Sequence, residues 1–180
     1  MVGADDMTMT GDRDQVTLIR ARQVAASAPD PELPMLTVGD LGILREVTVD
    51  GCRVIASLTP TYSGCPAMRE IQQEVSGRLA AAGFGDAEVR IVLSPGWSTD
   101  WITADGRRKL AAAGIAPPAA APRRAAGPVP LTLSPSLAAV ACPVCGSVST
   151  QRTAAFTGTA CKDLYRCLAC AEPFEHVKEI

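Results

Sequence analysis

Cysteine is the residue with most chemistry to offer in this chain, and its placement is uneven. Seven cysteines stand at positions 52, 65, 142, 145, 161, 167 and 170. Four of them form two Cys-x-x-Cys pairs, Cys142-Pro143-Val144-Cys145-Gly146 and Cys167-Leu168-Ala169-Cys170, with 21 residues between them. Two such turns can bring four thiolates around one tetrahedral ion, at about 2.3 Å per bond for zinc. This spacing favours structural zinc at Cys142, Cys145, Cys167 and Cys170, and leaves an iron–sulfur cluster or rubredoxin-like iron as the alternatives. So short a segment cannot bury a sufficient core, so metal binding should supply much of its folding energy. Cys161 is surplus to a four-ligand site. It reads either as a small buried residue or as a second reactive thiol or alternative ligand.

Cys65 offers a different chemistry. Pro66 suits the first turn of a helix, where a missing N–H costs nothing, which places Cys65 at the N-cap. The positive end of the helix dipole would then favour thiolate. The loop holding Cys65 follows a strand that crosses over, where open α/β sheets place ligands. A cysteine that only caps and packs inward is the competing reading. The chain has one histidine, His176, in a polar stretch that reads as solvated. It therefore lacks the paired Glu-x-x-His motifs of a carboxylate-bridged di-iron site and the two histidines of a facial triad. Nor does it offer a base to a papain-type nucleophile. A thiolate that holds metal transiently needs none.

The elements that must position these residues are legible in the pattern. Residues 1–12 read as disordered, and 14–28 as a short amphipathic helix with Val16, Ile19 and Val24 on its apolar face, stopped by Pro29 and Pro31. Asp50-Gly51 signals a two-residue hairpin turn. Folding there pairs Val49 with Cys52, Val47 with Val54, Arg45 with Ala56 and Ile43 with Leu58, giving one apolar face over 43–59, with Cys52 as a packing residue. Met68, Ile71, Val75, Leu79 and Ala82 mark a helix, ended by Gly83 and Gly85. Val89, Ile91 and Leu93 mark one face of a third strand, parallel to the second because the crossover is right-handed. Thr103 caps a short helix over 104–112. Six prolines in 116–135 read as a semi-stiff linker, with VPLTL able to dock as an edge strand. Between the knuckles, SVSTQRTAAF and DLYR read as the strands of a ribbon hairpin.

The balance of 17 basic and 19 acidic residues in 180 gives no general attraction to nucleic acid or membrane. No basic n-region or long apolar run suggests a signal or a membrane span. The expected compartment is therefore the cytoplasm, where thiols stay reduced.

Taken together, DPELPMLTVGDLGIL, the hairpin, and TPTYSGCP before a helix resemble the MIP18-like (DUF59) domain of iron–sulfur assembly factors. The further run PGWSTDWITADGRRKLAAAGIAPP, followed by CPVCGS and TACKDLYRCLAC, resembles a narrower family, the D component of the phenylacetyl-CoA epoxidase (ring-1,2-epoxidase) system of phenylacetate degradation. The resemblance runs from about residue 15 to the C-terminus. It implies an α+β protein: a MIP18-like α-β-β-α-β domain with a mixed three-stranded sheet over 13–114, a Pro/Ala-rich linker over 115–138 and a zinc ribbon over 139–180. It implies an accessory, non-catalytic subunit that assists maturation or assembly of iron or iron–sulfur centres, or else one that only scaffolds the complex. Its partners would be the oxygenase or reductase subunits of that system, with a homodimer left open. It places the family's functional cysteine on Cys65, its acidic loop on Asp30, Glu32 and Asp40, and its Thr-x-Thr on Thr59 and Thr61, where iron or a cluster would be handled in passing. Asp30 and Glu32, in a Pro-rich loop, also suit the bonding of backbone amides.

Overall fold

The computed structural model describes residues 6–50, 53–121 and 139–180, with the side chains of the first helix from Gln15 onward. Two compact units divide at Trp97/Ser98. No described helix is long and apolar enough to cross a membrane.

The first unit begins with α1, Asp6–Ala26. Helix thus occupies residues 6–12, where disorder was expected, and residues 1–5 lie outside the described part. The buried stripe of α1 differs from the expected one. Val16 and Ile19 are 60% and 49% exposed, whereas Ala21 and Ala25, and Ala28 just past the helix, are fully buried. Ala21 and Ala25, four apart, give a face of small side chains that permits close approach. Gly39 uses that closeness: a Cβ there would lie 3.0 Å from Ala26 Cβ, and its N–H donates to Ala26 O at 3.1 Å.

Strands β1 (Leu44–Asp50) and β2 (Arg53–Leu58) form the antiparallel hairpin. Its register is Val49↔Val54, Val47↔Ala56 and Asp50↔Arg53, two residues away from the expected pairing. Residues 51–52, including Cys52, lie outside the described residues. A slip of two preserves the faces, so Val47, Val54, Ala56 and Leu58 are all buried as the alternation requires. A bulge between Leu44 and Glu46 lets Leu44 turn inward in place of Arg45.

Helix α2, Met68–Ala81, buries Met68, Ile71, Val75 and Leu79. It leads to β3, Glu88–Ile91, which pairs with β2 in parallel. The sheet order is β1-β2-β3, the mixed sheet expected from a right-handed crossover. Here β3 is an edge strand, and Ile91 and Leu93 are 38% and 67% exposed, so the predicted apolar stripe is not covered by core. Trp97 is buried and its Nε1–H donates to Leu41 O at 2.9 Å.

The second unit opens with a 3-10 turn, Thr99–Trp101, and α3, Ala104–Ala112. Thr103 caps α3 by accepting from Gly106 N–H at 2.9 Å. Three antiparallel strands follow, β4 (Thr150–Ala154), β5 (Lys162–Cys167) and β6 (Pro173–Val177), in that order across the sheet. The third was not expected; Pro173 opens it, where a missing N–H is tolerated. Residues 115–121 are stitched to β6: Ala116 N–H donates to Glu175 O at 2.8 Å, and Val177 N–H to Ala116 O at 3.1 Å. Thr99 N–H donates to Ile180 O at 3.1 Å. The VPLTL piece, residues 129–133, lies outside the described residues. A small core of Ala116, Val140, Cys142, Tyr165, Cys167 and Phe174 closes the unit.

Candidate metal centre and thiol loop

The ribbon sheet delivers its four thiols from two matching turns. In the first, Cys142 N–H donates to Ser147 O, and Gly146 N–H to Cys142 O, both at 2.9 Å. In the second, Cys167 N–H donates to Glu172 O at 2.9 Å. Each turn needs a residue at positive φ just after its second cysteine: Gly146 at 74° and Ala171 at 65°. Glycine takes this geometry without strain; alanine does not, and Ala171 is held there by the fold around it.

The four sulfurs of Cys142, Cys145, Cys167 and Cys170 all lie within 4.8 Å of one another. Cys142 Sγ is 3.8 Å from Cys170 Sγ, and Cys145 Sγ is 3.6 Å from Cys167 Sγ. Bonds of about 2.3 Å to a tetrahedral zinc imply sulfur–sulfur edges of about 3.8 Å. The donor set fits. Cys142 and Cys167 are buried, while Cys145 and Cys170 face solvent, so the cluster is sealed on one side by the ribbon core.

The backbone favours thiolate here. The amides of Cys170 and Ala169 hold the Cys167 thiol down at about 6. At Cys170 the Glu172 amide also favours thiolate, yet the thiols of Cys145, Cys167 and Cys142, with burial, push it up to about 12. Crowding of this kind makes the last proton hard to lose until a cation takes its place. A bound metal would supply that positive charge.

Cys161 stays outside the cluster. It precedes β5 while Cys167 ends it, so the two are about 20 Å apart along the strand. Its sulfur lies 3.1 Å from Thr159 Oγ1. That separation places it beyond reach of the ion the other four cysteines could share.

His176 is not solvated. It is 2% exposed, because β6 sets it opposite Asp163 on β5. Its Nδ1 lies 2.9 Å from Asp163 Oδ1, its Nε2 3.4 Å from Glu179 Oε1, and its ring meets Tyr165 edge-on at 5.5 Å. The sequence signal for this buried contact was the alternation of Phe174 and His176 in β6.

In the first unit, Cys65 does not cap α2. Ala67 is the N-cap, with helical φ and ψ and no side-chain cap. Cys65 sits in the turn ahead of it: its N–H donates to Tyr62 O at 3.2 Å, and its C=O accepts from Met68 N–H at 3.3 Å. The sulfur-bearing residue is half-buried, neither sealed in the core nor fully open. The helix dipole acts mainly within the first turn, so its pull at Cys65 is weaker than an N-cap position would give.

The acidic loop folds on itself. Asp30 is buried, and its Oδ1 accepts from Glu32 N–H at 2.9 Å and Leu33 N–H at 2.8 Å. Asp40 Oδ2 accepts from Thr37 N–H at 2.9 Å and Thr37 Oγ1 at 3.0 Å. Glu32 and Thr61 are half-buried. Thr59 follows β2, and its N–H donates to Ile43 O at 2.9 Å, which ties the start of the Cys65 loop to the end of the acidic loop. Its hydroxyl is buried without a hydrogen-bond partner.

Comparison with known proteins agrees with this architecture. Residues 22–93 match the family model described as an iron–sulfur cluster assembly protein, and residues 126–178 match the PaaD zinc beta ribbon domain. The crystal structure of a DUF59 domain from Bacillus anthracis superposes with a TM-score of 0.52 at 23% identity, covering 56% of this chain and 96% of that one. At that identity the likeness is one of fold. Fold and site together define an α+β protein that joins a MIP18-like domain to a zinc ribbon with a four-cysteine metal-binding cluster. An Escherichia coli (strain K12) protein, provisionally named as the D component of 1,2-phenylacetyl-CoA epoxidase, is 43% identical over 150 residues, or 83% of this chain and 86% of its own length. The chain belongs to that protein's family, the D components of phenylacetyl-CoA epoxidase systems.

Proposed function

We propose that this protein is an accessory subunit of a phenylacetyl-CoA 1,2-epoxidase system that assists maturation or assembly of iron or iron–sulfur centres in its partner subunits. The observation that carries this reading is the half-buried Cys65 thiol in an irregular loop beyond β2, tied through Thr59 to the acidic loop. There it would take up iron or a cluster as cargo, losing its thiol proton to solvent as the metal–sulfur bond forms. The ribbon cysteines hold structural zinc, the ion best suited to a closed four-thiolate site. Val144 and Leu168, at the tips of the two knuckles, are 64% and 60% exposed and suit docking on an oxygenase or reductase subunit. The near-neutral charge gives no support to nucleic-acid binding, and a reduced cytoplasm suits these thiols.

The test is co-expression of the epoxidase oxygenase with and without this protein. Oxygenase poor in iron when the protein is missing or carries Cys65→Ser is the expected result. Fully metallated, active oxygenase in its absence would refute the maturation role.

One observation favours a second reading, a subunit that only scaffolds the complex. The buried carboxylates Asp30 and Asp40 already accept hydrogen bonds from loop amides and Thr37, as residues with a structural role would. Scaffolding predicts normal oxygenase activity with Cys65→Ser, and loss of association when zinc is removed.

A further inference from the structure

The ribbon carries a cavity that neither the metal cluster nor the thiol loop uses. About 470 Å³ of space lies between β4, the central strand β5 and the segment Ala139–Val140. Ala139, Val140 and Val148 line it with methyl groups, while Thr150, Arg152 and Tyr165 bring polar atoms. Arg152 on β4 and Tyr165 on β5 are partners in register, so their side chains project from the same face of the sheet. Both have donors to give. The Arg152 guanidinium faces Asp163 Oδ2 at 3.8 Å, beyond hydrogen-bond length, and Asp163 spends its other oxygen on His176 Nδ1 at 2.9 Å. Tyr165 is 5% exposed; its ring stacks on Phe174 at 5.8 Å, but its hydroxyl has no hydrogen-bond partner among the described residues. A buried phenol ordinarily finds one. Thr150 is already committed, donating from Oγ1 to Val140 O at 2.7 Å, which fastens the 139–140 wall to the sheet.

We propose that this cavity is a binding site for a small organic monocarboxylate with an apolar body. The carboxylate accepts from the Arg152 guanidinium and the Tyr165 hydroxyl, and the body lies against Val140 and Val148. A guanidinium beside a phenol matches the two oxygens of a carboxylate. Asp163 offsets part of the Arg152 charge, so a monoanion suits the site better than a phosphate dianion. The volume falls in the range of small-molecule sites, where apolar walls give affinity and a few donors fix orientation. This inference is independent of the role proposed for Cys65, and it gives the ribbon a ligand of its own besides the ion.

The experiment titrates isotope-labelled, full-length, zinc-loaded protein with phenylacetate, phenylacetamide and acetate in turn, following backbone amides by NMR. Phenylacetate should shift the amides of Thr150, Arg152 and Tyr165 to saturation. Phenylacetamide keeps the ring but not the charge and should bind about tenfold more weakly, the loss of hydrogen bonds to a charged acceptor. Acetate keeps the charge but not the apolar body and should bind more weakly than phenylacetate. Arg152→Gln and Tyr165→Phe should each weaken phenylacetate by about tenfold, with zinc content and the remaining amide spectrum unchanged. Should Arg152→Gln lose its zinc, Tyr165→Phe decides, since it removes one hydroxyl and keeps the ring against Phe174. No saturable shift with phenylacetate, shifts confined to residues away from the cavity, equal affinity for phenylacetamide, or wild-type affinity in Tyr165→Phe each overturns the inference.

Discussion

The two cysteine sites of this molecule sit at opposite ends of a range of confinement. In the ribbon, two turns aim four sulfurs at one point, with a backbone amide bonded at each leading cysteine and a small aromatic core behind them. At Cys65, one sulfur stands in an irregular loop between a strand and a helix. A closed set of four thiolates suits an ion that must stay; a single thiol in an irregular loop suits one that must leave. The contrast teaches that cysteine count matters less here than how much backbone is committed to each sulfur. Perturbations that split the two sites are therefore the informative ones.

The largest split should come from removing metal. Chelation of the full-length protein should unfold the β4–β5–β6 sheet while the β1–β2–β3 sheet persists, because a unit this small leans on its ion for folding. Amide hydrogen exchange reads this residue by residue: the amides of β5, such as Leu164 and Tyr165, lose protection while those of Val54 and Ala56 keep it. Cys167→Ser should reproduce the effect. Protection of β5 unchanged after verified metal loss would mean that the core around Tyr165 and Phe174 suffices alone. Acid acts in the same direction, since ligand thiols must be deprotonated and falling pH favours their protonated forms.

The converse split comes next. Leu79→Ala removes a fully buried side chain from α2 and should cost about 2–5 kcal/mol in the first unit, with metal retained in the ribbon. Asp30→Ala leaves one buried and one half-buried amide without their acceptor and should cost about 1–3 kcal/mol. Denaturant melts followed by the fluorescence of Trp97, which lies in the first unit, measure both. An Asp30→Ala variant as stable as wild type would show that the carboxylate is held for chemistry and not for the loop.

The same contrast governs how much could be read from the residues. α2 was legible because four apolar positions with helical spacing and a terminal glycine agree with one another. The hairpin was legible in its faces but not its register, since alternation repeats every two residues and cannot see a slip of two. Val16 and Ile19 misled because hydrophobicity outranks size in any pattern, whereas α1 packs by its alanines, as Gly39 against Ala26 shows. Pro66 suggested the helix start two residues too early, because proline suits the turn before α2 as well as its first residue. The convergence of the four ribbon cysteines was legible from spacing alone, since a knuckle is local. His176 was not, because its burial comes from Asp163 across a strand that local polarity hides.

The smallest effect on stability, and the sharpest on the comparison, concerns Cys65 itself. Its sulfur makes no part of the core, so Cys65→Ser should move the midpoint by no more than about 0.5 kcal/mol. Its reactivity should nonetheless set it apart from the ribbon cysteines. In metal-loaded protein, iodoacetamide should modify Cys65 ahead of Cys145 and Cys170, although those two are the more exposed, because a metal-bound thiolate is shielded by its ion. After chelation the order should invert, with Cys145 and Cys170 reacting first. Mass spectrometry of the alkylated peptides decides between the outcomes. Should Cys65 stay unmodified in both states, its loop is closed to reagents of that size, and the site that distinguishes handling from storage is not Cys65.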